Sequence, residues 1–229
     1  FLAIDFAIHG PKKPKTLVVT GRTQKKIDMA ARLYTVEEAK KNGVKLVYVN
    51  TRDIADVNKE LRKYSEKGFD DVFIFAPNEE MVTYGVKMLA FDGCLNFFSG
   101  PADQEFSSRV NFYNIHYNST HFVGTSGGNT EDMKQSIELI ESKTVNVAKI
   151  ATHILGLDHA VETTKVLPEL EGSKKIVYTH KKFPLTEVDK FDENSDDKYI
   201  RELKSIVERN GNLWSGEAER YFIQNAPEI

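Results

Sequence analysis

Cysteine is nearly absent from this sequence: Cys94 stands alone, which excludes an internal disulfide framework and suits a reducing, cytoplasmic setting. No apolar run approaches the length of a membrane span, and no secretory leader pattern opens the chain. Neither sign of charge dominates. Thirty-one basic residues face 34 acidic ones, a net charge of −3, so the chain has no overall attraction for nucleic acid or an anionic membrane. Two catalytic signatures are missing too: there is no P-loop and no Cys-x-x-Cys. Internal repeats and low-complexity tracts are likewise absent.

What remains is a chain of 229 residues with 40% hydrophobic content, enough for one sizeable core and a piece of another. The pattern of that content is informative. Phe1 to His9 is apolar and helix-like, and Gly10-Pro11 ends it. Thr16–Thr20 is a continuous β-branched and apolar run, as expected of a strand buried on both faces. Ile27, Ala30, Ala31 and Tyr34 then recur at helical spacing. Lys45–Val49 reads as a strand, and Asp53 is placed to cap a helix with Ile54, Val57, Leu61 and Tyr64 inward. Asp71–Ala76 and Cys94–Phe98 read as further strands. Between them Glu79 and Glu80 fall in a helix's first turn, where the macrodipole favours acids. Val110–Tyr117 and His121–Thr125 look strand-like, and a helix follows with Met133, Ile137 and Ile140 inward.

This alternation over residues 16 to 141 predicts a doubly wound parallel α/β sheet of the Rossmann type. Beyond about Ile150 it weakens. Leu157–Leu167 reads as helix, Lys175–Thr179 as strand and Asp189–Asp197 as an acidic, solvated loop. Two amphipathic helices close the chain, one with Tyr199, Leu203 and Ile206, the other with Tyr221 and Phe222; Trp214 reads as packing or interface. The expected division is a dinucleotide-binding domain over 1–150 and a separate segment over 151–229.

The run Leu17-Val18-Val19-Thr20-Gly21-Arg22-Thr23 carries the most chemistry. It is a strand that stops at Gly-Arg, where a dinucleotide fold meets the adenosine ribose. An acid there accepts the 2′-hydroxyl of NAD; glycine and arginine instead leave room and charge for the 2′-phosphate of NADP. Thr23 adds a hydroxyl, and Lys25 or Lys26 adds charge. The same residues also read as an ordinary strand-to-helix turn, with Gly21 for backbone freedom and Thr23 as the cap. Ala76-Pro77, Ser99-Gly100 and Gly124-Thr125-Ser126 occupy the same topological place, the carboxyl ends of strands, where open α/β sheets bind ligands. Common loop chemistry explains each of them singly. His116 and His121 suggest a metal pair, but no Cys, Asp or Glu completes a zinc spacing, so they read as structural. Cys94, inside an apolar strand, reads as inert core.

With those residues in view, the chain resembles the zinc-dependent medium-chain alcohol dehydrogenases along essentially its whole length. Leu17–Arg32 looks like that family's second Rossmann strand and the helix after it. Ala151–Ala160 and Gly172–Val177 look like the return to its catalytic domain. The blocks Ala3–Pro11, Val110–Asn118, His121–Thr130 and Gly211–Glu219 are similar to its L-sorbose 1-phosphate reductase group. That resemblance implies an oxidoreductase that passes a hydride between a nicotinamide and a sugar phosphate or polyol, with zinc polarising the carbonyl oxygen. It also implies that the zinc ligands and the glycine-rich first strand lie upstream of Phe1. On that basis the chain is expected to be an incomplete Rossmann domain plus a return segment, inactive alone. The group commonly carries aspartate at the position of Gly21, a departure that favours NADP over NAD.

By position, the resemblance implies that Gly21, Arg22 and Thr23 meet the adenosine ribose. Ala76 and Pro77 would flank the adenosine half, and Ser99 and Gly100 the ribose beside the nicotinamide. Gly124, Thr125 and Ser126 would approach the nicotinamide, and Lys174 or Lys175 the pyrophosphate. A homo-oligomer is expected by analogy. Two other readings stay open: a non-catalytic dinucleotide-binding module, and a zinc-free enzyme of the quinone-reductase kind.

Overall fold

The computed structural model describes residues 1–229, which divide into two compact units. One comprises Ala7–Glu141; the other joins Phe1–Phe6 to Ser142–Ile229. The helix α1 (Leu2–His9) straddles that division.

In the first unit, strands β1 (Thr16–Gly21) and β2 (Lys45–Asn50) pair in parallel. A separate parallel sheet has the order β3 (Phe69–Ile74), β4 (Leu89–Phe97), β5 (His121–Gly124). Helices α2 (Gln24–Leu33), α3 (Val36–Lys41), α4 (Val57–Arg62), α5 (Glu79–Lys87), α6 (Phe112–Tyr117) and α7 (Thr130–Glu141) connect the strands or follow them. The parallel α/β reading therefore holds. Numbering β1 as the second strand of a doubly wound sheet, β2-β1 and β3-β4-β5 reproduce the order 3-2-1-4-5-6 except at its central first position.

That break corrects the reading of β1. No residue of β1 is fully buried, because only β2 flanks it and its other edge is open. The two sheets are tied by side chains: Val49, Val57, Leu61 and Met88 form one buried cluster, against which Val18, Phe69 and Tyr84 pack. A second cluster, Ile74, Val82, Val86, Leu89 and Leu95, seats α5 on β3 and β4.

Local chemistry sets several boundaries. Asp56, not Asp53, caps α4, accepting from the Lys59 amide at 2.9 Å. Tyr34 is buried as its spacing requires but lies one residue past α2, because Thr35 caps a new helix through the Glu38 amide at 3.1 Å. The strand expected over Val110–Tyr117 is instead the helix α6. The Asn111 side chain accepts from the Tyr113 amide at 3.0 Å and starts a helical turn that the alternating apolar residues do not oppose. Helix α7 forms where expected, but Met133, Ile137 and Ile140 are 64%, 54% and 41% exposed: the spacing is helical, yet the stripe points away from the core. Cys94 is half-buried in β4 rather than core.

In the second unit, β6 (Ala151–Gly156) pairs in parallel with β7 (Lys174–Tyr178) and antiparallel with the short β8 (Thr186–Glu187). Helix α8 (Ala160–Val166) joins β6 to β7, preceded by a 3₁₀ turn at Leu157–His159. Helices α9 (Lys198–Arg209) and α10 (Gly216–Asn225) close the chain. Asp197 and Ser215 cap them, accepting from the Tyr199 and Ala218 amides. Their apolar faces, Leu203, Ile206, Val207 and Phe222, meet Ile154, Tyr178, Phe183, Phe191 and Trp214 in one core. The acidic stretch at 189–197 is thus pinned by the buried Phe191. Asp5, 1% exposed, accepts from the Asn146 amide at 2.7 Å. No helix is long and apolar enough to cross a membrane.

Candidate functional site

The parallel strands of the first unit bring several of the singled-out residues to their carboxyl ends. Ile74, Phe97 and Gly124 are mutual register partners across β3, β4 and β5. The loops after them, Ala76-Pro77, Ser99-Gly100 and Thr125-Ser126, therefore leave the sheet at one edge. A side-chain carbon at Gly100 would meet nothing within 4 Å, so the main chain there is open to close approach. Asn78 caps α5 through the Met81 amide at 3.0 Å and turns Glu79 and Glu80 into its first turn.

At the end of β1, Gly21 sits close to Ile27 of α2, and its carbonyl accepts from the Thr51 amide at 2.8 Å. Thr23 occupies the cap position of α2 without a side-chain hydrogen bond, so its hydroxyl is not consumed by the helix. Lys26 lies exposed in α2. Arg22 is about half exposed, with Nη1 3.6 Å from Glu80 Oε2. The strand ends after β1 and β3 are thereby connected: Arg22 leaves one and Glu80 follows the other. Glu80 also accepts from the Tyr84 hydroxyl at 2.7 Å, and that bond raises the tyrosine's pKa.

Sequence reasoning missed Asn50 and Arg52. Arg52 Nε donates to the Arg22 carbonyl at 2.8 Å. Asn50 Oδ1 accepts from the Arg52 amide at 3.0 Å, while Nδ2 donates to Gln24 Oε1 at 2.8 Å. The available signal was positional, since both residues stand at the carboxyl end of the strand next to β1.

The remaining candidates are placed as follows. His121 Nε2 lies 2.9 Å from Asp92 Oδ1 on an exposed surface, and the His116 ring packs edge-on against Tyr117. No three His, Cys, Asp or Glu side chains come together as a metal site. In the second unit the Lys175 amine is tied to the Glu171 and Ser173 carbonyls at 2.7 and 3.1 Å, and burial lowers its pKa. A cleft of about 370 Å³ there is lined by His153, Leu170, Leu185, Thr186, Glu187 and Lys190. Burial, and then the nearby Lys175 charge, lower the pKa of His153. Lys190 and Glu187 pair with each other at 2.8 Å.

Comparison with known proteins gives a consistent picture. Residues 16–142 match the family described as zinc-binding dehydrogenase. L-sorbose 1-phosphate reductase of Klebsiella pneumoniae is 45% identical over 228 residues, covering 100% of this chain and 53% of that protein. This chain thus spans about half the length of that relative. A zinc-binding dehydrogenase from Sinorhizobium meliloti, solved with NADP bound, superposes with a TM-score of 0.56 at 16% identity, covering 73% of this chain and 46% of that one. A short chain alcohol dehydrogenase from E. coli, solved with NADH, gives 0.55 at 12% identity, covering 76% and 47%. At those identities the likeness is one of fold.

Proposed function

The chain belongs to the zinc-binding dehydrogenase family, and on that premise we propose that it holds the adenosine half of NADP in an enzyme that reduces a sugar phosphate or oxidises a polyol. The observation that carries the cofactor choice is the exposed Arg22 behind Gly21 at the carboxyl end of β1, a turn without a carboxylate of its own. A 2′-phosphate there meets a forked cation, whereas the free 2′-hydroxyl of NAD has no acid on that turn to accept it. The open main chain at Gly100 and the in-line strand ends at Ile74, Phe97 and Gly124 fit a flat dinucleotide laid along the sheet edge. In this reading Gly21, Arg22, Thr23 and Lys26 serve the phosphorylated ribose. Ala76 and Pro77 flank the adenosine half, and Ser99, Gly100, Gly124, Thr125 and Ser126 line the path to the nicotinamide.

The substrate class comes from the relative that reduces L-sorbose 1-phosphate. When bound, the cofactor would supply a hydride as NADPH or accept one as NADP+, and the part of this chain's residues would be to bind and orient it. The family name implies zinc; no three His, Cys, Asp or Glu side chains of these residues come together to hold it, and no step here is routed through the metal. Initial rates of the complete protein with NADPH and NADH test the reading. Arg22→Ala is expected to raise the Michaelis constant for NADPH by about tenfold and that for NADH far less. An equal effect on both cofactors would refute the 2′-phosphate role.

A further inference from the structure

A second arginine stands beside the first, thirty positions later in the chain. The Arg52 guanidinium lies against the Gly21-Arg22 turn, because its Nε donates to the Arg22 carbonyl at 2.8 Å. Two contacts fix its main chain: the Thr51 amide donates to the Gly21 carbonyl at 2.8 Å, and the Arg52 amide donates to Asn50 at 3.0 Å. Asn50 in turn holds Gln24, the first residue of α2, at 2.8 Å. The Arg52 side chain is therefore anchored at Nε while its two terminal nitrogens make no bond.

Arg22 is in the opposite state. Glu80 neutralises it at 3.6 Å, and the Tyr84 hydroxyl holds the Glu80 carboxylate from the next turn of α5 at 2.7 Å. Both members of the Arg22–Glu80 pair are 52% exposed, so the pair is weak and an incoming anion can take the guanidinium over.

Resting on the NADP reading above, we propose that Arg52 is the second arm of the 2′-phosphate clamp and that Glu80 is the counter-charge limiting its strength. A phosphate monoester brings roughly −1.5 to −2 charges and three acceptor oxygens. One guanidinium fork satisfies two of those oxygens, leaving the third and much of the charge to another cation. Arg52 is preset for that task, with its Nε bond aiming the fork and its terminal nitrogens free. Glu80 compensates Arg22 in the absence of phosphate and repels the phosphate when it arrives. The balance between these three side chains sets the preference for the phosphorylated nucleotide.

The test is calorimetric binding of adenosine 2′,5′-bisphosphate and of adenosine 5′-monophosphate to the complete protein. The two probes differ only in the 2′-phosphate. Arg52→Leu is expected to weaken the bisphosphate about tenfold and to change the monophosphate less than about twofold, with Arg52→Lys recovering part of the loss. Glu80→Gln is expected to strengthen the bisphosphate by up to about fivefold and leave the monophosphate unchanged. Circular dichroism verifies that each variant is folded. If both variants leave the ratio of affinities untouched while Arg22→Ala collapses it, this assignment is overturned and the NADP reading stands. If the parent protein binds neither probe, or both equally, the NADP reading falls and this assignment falls with it.

Discussion

Tyr178→Phe removes a single oxygen from the most densely aromatic part of the molecule. Tyr178 and the only tryptophan, Trp214, are 6% and 4% exposed. The Tyr178 hydroxyl accepts from Trp214 Nε1 at 2.7 Å and donates to Glu219 Oε1 at 2.6 Å. Burial, followed by the Glu219 hydrogen bond, raises its pKa, so it stays a neutral donor. Phenylalanine keeps the ring contacts to Phe222 and Trp214, at centroid distances of 4.8 and 6.2 Å. What it leaves behind is a buried indole N–H with no acceptor, costing about 1–3 kcal/mol. At a urea dependence of roughly 1–3 kcal/mol per molar, the unfolding midpoint falls by about 1 M. Trp214 fluorescence reports this unit alone, since no other tryptophan exists. A cycle with Trp214→Phe, followed by circular dichroism, isolates the bond: removing both partners leaves no orphaned indole N–H, and the lost Glu219 contact is common to Tyr178→Phe and the double variant and cancels. The double variant is therefore expected to be more stable than the sum of the single losses by about 1–2 kcal/mol. A Tyr178→Phe protein within about 0.5 kcal/mol of the parent, or a cycle with no coupling, would refute the reasoning.

Two further perturbations probe other layers of the structure. Gly156 ends β6 with its amide bonded to the Phe183 carbonyl at 2.8 Å, and a methyl group there would run into the Lys181 carbonyl and the Phe183 amide. Gly156→Ala is expected to cost more than about 3 kcal/mol, visible as loss of the cooperative transition of Trp214 fluorescence. The Tyr48 hydroxyl shares its one proton between the Ala30 and Tyr34 carbonyls, at 3.1 and 2.8 Å, and burial, with Glu38 second, pushes its pKa up to about 12. The folded state thus keeps this proton after the unfolded chain has lost it near pH 10. The contribution is fully present below pH 10 and disappears as pH rises towards 12. Urea midpoints measured across that window are expected to fall, and Tyr48→Phe to flatten the fall.

Much of this molecule is legible in its sequence because local rules and tertiary structure agree there. The apolar runs at Thr16, Lys45, Asp71, Cys94 and His121 become strands, and the helices between them begin where a cap or an acidic first turn stands. Gly21-Arg22 lies at a strand end because a glycine and a charged residue close a β-branched run. The alternation itself dictates parallel pairing, since each crossover helix returns the chain to the same end of the sheet.

Other features depend on neighbours that no local window contains. The periodicity of α7 marks its apolar stripe correctly but cannot say whether anything covers it, and Met133, Ile137 and Ile140 stand exposed. The composition of β1 reads as doubly buried, yet burial requires flanking strands, and β1 has one. At Asn111 a single side-chain hydrogen bond outweighs an alternating pattern and makes a helix of an apparent strand. Arg52 is one exposed arginine among many until strand pairing aligns Gly21 with Asn50 and carries it onto the Arg22 carbonyl. The sequence alone determined which segments form elements and which turn carries the charge. The tertiary structure decided which faces are covered and which distant charges meet, because burial and pairing are properties of contacts between segments rather than of any one segment.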